Sequence, residues 1–292
     1  MRHLHLDPVG GIAGDMFLAA LIDLGCPLQA VTDGLKHLKT EQPWKLTARK
    51  VERHTIGATH LMAVIGGEGL VAHSHDDDHS HPCGQDARRD DHAHGHPHSH
   101  THAHGHAHSH PHVHDHGHGH PHHHTSAKDV MAMAASLPGP MRLRDRATAI
   151  VRVLAIAEAK VHGKPVEDVH FHEVGAVDSI IDMLGAAIAL EHLGIDSLSC
   201  GALPLGGGFV KCDHGMMPLP APATAHLLEG CPTRGIDFDK ETVTPTGAAI
   251  VKALCTSFGT PPEMVLTGIG YGAGTRDDAH APNLLRVMRG ER

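Results

Sequence analysis

Aromatic side chains are scarce: one Trp, one Tyr and five Phe in 292 residues. A core must therefore be packed from Leu, Val, Ile, Ala and Met, and Trp44 and Tyr271 read as packing residues rather than ligand platforms. The six cysteines, at positions 26, 83, 200, 212, 231 and 255, form no CxxC pair, which excludes a zinc ribbon and a thioredoxin-type motif. They read as mostly buried thiols in a reducing compartment. No apolar run approaches the roughly 18 residues of a membrane span, and the N-terminus has no signal-peptide core. A soluble, cytoplasmic protein is expected, not a transporter with a histidine-rich loop. Positive charge is not in excess either. With a net charge of −9 there is no basic stripe to displace counterions from a nucleic acid. The sequence also lacks GxGxxG, a P-loop Gly-Lys-Ser/Thr and HExxH, which argues against a nucleotide-driven GTPase chaperone and a zincin hydrolase.

Histidine, by contrast, is abundant. Residues 73–124 hold 22 of the 34 histidines, mostly at every second position, as in the run through His94, His96, His98, His100, His102, His104 and His106. Imidazole suits nickel, zinc and copper, and such a run offers many nitrogens to one ion without a preformed geometry. A solvated linker or a tag is the plainer alternative. The internal position, the length and the admixed Asp76, Asp77, Asp78 and Asp115 favour metal storage or delivery. Frequent Gly and Pro make disorder the expectation. Seven Asp oppose two Arg here at neutral pH, so in mild acid the segment becomes cationic and loses metal affinity. The expected organisation is a mixed α/β fold, a sheet covered by helices. Residues 1–72 and 127–292 form the two parts of one globular domain, and 73–126 form a disordered metal-binding insert.

His3–Asp7 alternates like a strand with Leu4 and Leu6 inward, and a glycine-rich turn through Gly10, Gly11 and Gly14 leads into a helix that starts near Asp15 and stops at Gly25. A strand, a glycine turn and a helix start make an anion cradle, and a tight capped turn makes the same pattern. Lys45–Val51 and His60–Ile65 read as paired strands, Ala127–Leu137 and Arg142–His162 as helices, and Leu198–Leu205 as one buried strand. A triple glycine followed by Lys211 and His214 gives a second anion or metal surface. Thr244 opens a helix spanning Ala248–Phe258, a glycine-rich turn over Gly268–Asp277 carries Arg276, and Asn283–Met288 forms a last strand.

The densest chemistry lies between Val169 and Met183. If that stretch begins extended, His170 and His172 share a side opposite Phe171; Glu173 follows, and a helix starting near Asp178 places Asp182 one turn along the same face. Two imidazoles and three carboxylates then suit a divalent ion. N-capping by Asp178 and simple exposure of Asp182 are the competing structural readings.

Taken in order, DPVGGIAGDMFLAALIDLG, HFHEVGAVDSIIDMLGAAIAL, PLPAPATAHLLEG, ETVTPTGAAI and GYGAGTRD resemble the LarC family of nickel insertion proteins in nickel-pincer nucleotide biosynthesis. The resemblance covers nearly the whole chain outside the histidine tract. It implies CTP-dependent insertion of Ni²⁺ into pyridinium-3,5-bisthiocarboxylic acid mononucleotide, assisted by Mn²⁺ or Mg²⁺, with lactate racemase-type apoenzymes receiving the product. It also implies a further C-terminal domain beyond the GYGAGTRD stretch, supplied as a separate product or by a frameshifted extension, or lost. On this reading the tract collects nickel and passes it to His170, His172 and Glu173, with His172, Glu173 and Asp178 as the catalytic group. Asp178 and Asp182, with Asp7 or Asp15, hold Mg²⁺ or Mn²⁺ against nucleotide phosphates. Gly10, Gly11, Gly14 and Arg276 contact phosphate, and Lys211, His214 and Thr244 contact substrate. A non-enzymatic nickel store or metallochaperone is the alternative.

Overall fold

The computed structural model describes residues 1–38, 40, 42–66, 125–171, 176–212, 215–278 and 281–292. In chain order these form β1 (Arg2–Asp7), α1 (Gly14–Asp23), α2 (Leu28–Leu35), β2 (Trp44–Arg53), β3 (Ile56–Ile65), β4 (Thr125–Ser126), α3 (Ala127–Ala135), α4 (Met141–His162), β5 (His170–Phe171), α5 (Val177–His192), β6 (Ser197–Cys200) and β7 (Leu203–Leu205). There follow β8 (Phe209–Cys212), β9 (Gly215–Pro218), α6 (Pro222–Leu227), β10 (Thr233–Gly235), α7 (Pro245–Leu254), β11 (Cys255–Phe258), β12 (Val265–Ala273) and β13 (Leu284–Glu291). The architecture is mixed α/β, as the sequence led us to expect. The histidine tract, His94 to His106 included, lies outside the described residues.

Seven strands form one sheet in the order β11-β6-β1-β13-β12-β3-β2, drawing on segments both before and after the tract. β1 runs parallel to β6 and antiparallel to β13, and β12 is antiparallel to β13 but parallel to β3. Helix α1 lies across β12, β3 and β13, α7 lies on β6 and β11, and α5 packs on α1, α2 and α4, so the helices form a common layer. Between sheet and helices sits an aliphatic core in which Leu4, Leu6, Leu18, Leu21, Ile150, Leu154, Ile180 and Ile181 are buried. Phe17 and Phe171 are its large aromatics.

The stretch Gly268–Asp277 is not a glycine-rich turn. Residues 265–273 are strand β12, and the glycines alternate because α1 descends onto that face. A Cβ on Gly272 would stand 1.8 Å from the Met16 carbonyl oxygen, and one on Gly270 would stand 2.2 Å from that of Ala20. The glycines remove the side-chain layer that normally separates a helix from a sheet. Two further expectations are corrected. The helix of 248–258 ends at Leu254, and its tail becomes strand β11 on the sheet edge. Leu198–Leu205 is two strands, with β6 in the main sheet and β7 paired to β10. Tertiary pairing overrides local propensity in both. The strand pair came out longer than expected, and Gly163 ends α4 in the left-handed conformation.

β1 departs from a simple in–out alternation because it is central. His3 and His5, opposite Leu4 and Leu6, are as buried as the leucines. Both nitrogens of His3 hydrogen-bond to serines, Nδ1 to Ser197 at 2.7 Å and Nε2 to Ser199 at 2.8 Å, and His5 Nδ1 shares Ser199 at 2.8 Å. Burial lowers both histidine pKa values, and the rings act as polar core groups hydrogen-bonded to the serines of β6.

Replacing Gly272 with Ala is expected to destabilise the fold by about 2–3 kcal/mol, since the overlap is with backbone and cannot be relieved by a rotamer change. Urea denaturation measures it. A loss below about 0.5 kcal/mol, the range of neutral surface changes, would mean that α1 is not seated on β12 in this way.

Candidate functional site

Three helices begin close together. The turn after β1 bonds to the segment before α7, with the Ile12 N–H donating to the Thr242 carbonyl at 2.8 Å and the Thr244 N–H to the Ile12 carbonyl at 3.1 Å. This pairing sets the start of α7 beside the start of α1. Helix α5 packs along α1 from its other side. The N-cap of α1 is Ala13 and that of α5 is Ala176, and neither can offer a side-chain acceptor. For α1 the acceptors come from elsewhere. The Gly14 N–H donates to Thr246 Oγ1 at 3.2 Å and the Met16 N–H to Asp15 Oδ1 at 2.7 Å, while the Asp15 N–H favours the ionised form of Asp182. The orphan N–H groups of one helix thus face side chains of two others. Thr244 caps its own helix by accepting from the Gly247 N–H at 3.2 Å and bonds Thr246 Oγ1 at 3.0 Å.

Gly14 fits tightly. A Cβ there would meet Asp182 Cβ at 2.8 Å and Thr246 Oγ1 at 3.0 Å. The result is an oxygen-rich group of Asp15, Asp178, Asp182, Thr244 and Thr246. Burial pushes the Asp15 carboxyl up to about 6, and the charge on Asp178 adds to the rise. Burial raises Asp182 strongly as well, reinforced by Asp15 and Asp178 and opposed by the Asp15 N–H. Among the described residues no Lys or Arg pairs with any of the three. Three partly buried carboxylates without a counter-ion are costly, and such groups mark sites where a cation or a proton is handled. No three described His, Cys, Asp or Glu side chains sit close enough to hold a metal ion by themselves.

The remaining sequence candidates fall elsewhere. Asp178 is inside the first turn of α5 with its Oδ1 accepting from the Ser179 N–H at 2.7 Å, so it is not the N-cap. His170 is exposed on β5, opposite the buried Phe171, and pairs in register with Ser126 of β4, which follows the tract in sequence. His172, Glu173 and His214 lie outside the described residues. Asp7 is not with the other aspartates, because it pairs with Arg286 across β1 and β13. Arg276 is engaged too: it donates to the Glu241 carbonyl, lies 4.0 Å from Asp278 and stands over the Phe238 ring. Gly10 and Gly11 are explained by backbone crowding, since added Cβ atoms would meet the Pro282 carbonyl oxygen at 2.2 Å and that of Thr242 at 1.9 Å. Lys211 is exposed on β8.

Thr246, the second hydroxyl in Thr244-Pro-Thr246 at the helix start, was not selected as a site residue, since its partner, Gly14, is 232 positions away.

The site and the sheet define a mixed α/β protein with hard oxygen donors gathered at helix starts. The family described as "Nickel insertion protein" matches residues 4–292, and the chain belongs to that family. It is 41% identical over 291 residues to a putative nickel insertion protein of Citrifermentans bemidjiense, covering 100% of this chain and 62% of that one. A putative nickel insertion protein of Geobacter sulfurreducens is also 41% identical, over 292 residues, with the same coverage of 100% and 62%. The pyridinium-3,5-bisthiocarboxylic acid mononucleotide nickel insertion protein of Geobacillus kaustophilus is 38% identical over 291 residues, 100% of this chain and 60% of that one. The chain thus spans about three fifths of the length of the curated relatives it matches. No solved structure matches it. No helix among the described residues is long and apolar enough to cross a membrane.

The carboxylate group predicts a pH signature in metal-free protein. A folded-state pKa of about 6 against an ordinary 3.8 means that ionised Asp15 opposes folding above pH 6, a penalty that fades as pH falls towards 4. Asp15→Asn should therefore be more stable than the unsubstituted protein at pH 8, by about 1–3 kcal/mol, with the gain vanishing near pH 4. Urea denaturation at the two pH values checks this. A loss of stability at pH 8 would contradict the assigned electrostatics.

Proposed function

We propose that this chain carries out nickel insertion into pyridinium-3,5-bisthiocarboxylic acid mononucleotide, the compound in the printed name of the Geobacillus relative. The reaction is CTP-dependent, forms nickel–carbon and nickel–sulfur bonds, takes place in the cytoplasm and supplies lactate racemase-type enzymes. The observation that carries the reading is the group of Asp15, Asp178 and Asp182, partly buried and without a basic partner among the described residues, beside Thr244 and Thr246. Its donors are all oxygen, which fits Mg²⁺ or Mn²⁺ and does not favour nickel. Few protein ligands are needed, because Mg²⁺ is commonly held by one or two carboxylates together with nucleotide phosphates and water. Bound there, such an ion would neutralise phosphate charge on the CTP. The aspartates would hold the ion and orient it, and the hydroxyls of Thr244 and Thr246 would complete the oxygen surface.

Nickel enters as the substrate metal. The tract, His94 to His106 among it, gathers the ion, and His170, His172 and Glu173 receive it. This route is supported by β4, which follows the tract directly and pairs in register with His170 and Phe171. Phosphate contact by Gly10, Gly11, Gly14 and Arg276 and substrate contact by Lys211 and Thr244 belong to the same proposal. The relatives' additional length leaves room for a further region that takes part in the nucleotide step. The composition of the tract favours a second reading, a nickel store without catalysis.

Mass spectrometry of the mononucleotide after incubation with Ni²⁺, Mn²⁺, CTP and the chain, with and without the relatives' additional region, tests the proposal. A nickel-bearing product is expected in at least one mixture, and Asp178→Ala should abolish it while leaving the fold intact. Deleting residues 73–124 should preserve the product at saturating nickel. No product from either mixture would favour the store.

A further inference from the structure

The hairpin of β8 and β9 is not hydrogen-bonded to any other strand among the described residues, and it carries its apolar side chains outward. Directly opposite residues of an antiparallel pair share a face, so the register Phe209↔Pro218 and Lys211↔Met216 puts these four on one side. Phe209 is 68% exposed and Met216 63%, among the most exposed large apolar side chains described. Lys211 stands between them with its charge free for solvent. A two-stranded hairpin is marginally stable alone, and an aromatic ring held in water on one gains nothing for the fold.

The hairpin is nonetheless anchored at its base to the site. The Leu219 N–H donates to the Gly208 carbonyl at 3.0 Å, the Gly207 N–H to the Phe238 carbonyl at 2.9 Å and the Gly206 N–H to Thr242 Oγ1 at 3.1 Å. Thr242 is the residue whose carbonyl receives the Ile12 N–H, two residues before Thr244. A short hydrogen-bonded path therefore connects the hairpin to the segment that sets the starts of α1 and α7.

We infer that this face, Phe209 with Lys211 and Met216, is the subsite that takes the planar ring of the mononucleotide. The inference rests on the reading above that the substrate is a pyridinium mononucleotide. Charge complementarity selects this occupant. A pyridinium ring is a flat cation, which stacks on the face of Phe209, and its acidic substituents and phosphate are anions, which pair with Lys211. Met216 supplies a soft, adaptable edge to the ring. A neutral apolar peptide would leave Lys211 unused.

The test is the affinity of the full chain for nicotinic acid mononucleotide, a probe with the same pyridinium, a ring carboxylate and the ribose phosphate, measured by calorimetry. Phe209→Ala should weaken binding about tenfold, the scale of one lost ring stack, with Phe209→Tyr near the parent. Lys211→Gln should weaken it several-fold and flatten the salt dependence. Because Phe209 is exposed, none of these variants disturbs the core. If the parent chain binds the probe and Phe209→Ala binds equally well, the hairpin assignment is overturned and the substrate reading stands. If the parent does not bind at all, the substrate reading fails and the hairpin assignment with it. A self-association lost in Phe209→Ala with unchanged affinity for the probe would make the hairpin a contact between copies, which also overturns the inference.

Discussion

Everything at the site depends on how closely α1 lies on β12. Gly268, Gly270 and Gly272 present bare backbone, so the helix backbone itself, at Met16 and Ala20, rests where side chains would normally intervene. That seating lowers α1 into the sheet and fixes its first residues, Gly14 and Asp15, between the starts of α5 and α7. Gly14 repeats the device on a smaller scale, since only a hydrogen fits against Asp182 and Thr246. Packing of small residues thus sets the start of α1, with Asp15, near the carboxylates of α5.

The same crowding has an electrostatic consequence. Because Ala13 and Ala176 are poor caps, α1 draws an acceptor from Thr246 and starts against Asp182, which places a carboxylate in a confined position near two more. The fold retains an arrangement that opposes its own stability at neutral pH. That cost is the physical ground for the cation site proposed above.

Much of this was legible in the sequence, and the limits have physical causes. Periodicity and glycine stops gave α1, α3, α4 and α5, and alternation gave β2 and β3, because those signals are local. Asp15, Asp178, Asp182 and Thr244 were selected from their places at helix starts, and the structure brings those four together. The glycines of β12 were read as a turn, since their partner is a helix some 250 positions earlier and nothing nearby in the chain announces it. Asp7 and Arg276 looked equally suited to a ligand, but each had an ion-pair or carbonyl partner far away in sequence. The contact of Thr246 with Gly14 was hidden for the same reason. Composition could suggest a metal class for the tract and the motifs could name the family, but neither could rank the oxygen donors.

The central claim is that Asp15, Asp178 and Asp182 form a divalent cation site distinct from the histidine tract. Its most direct test is the binding of Mn²⁺, followed by the electron paramagnetic resonance signal of the free ion, to a chain lacking residues 73–124, in the presence of CTP. One site is expected, lost in Asp182→Asn and in Asp15→Asn. Manganese binding of equal strength in the parent and in both variants, or none in the parent, would contradict the account.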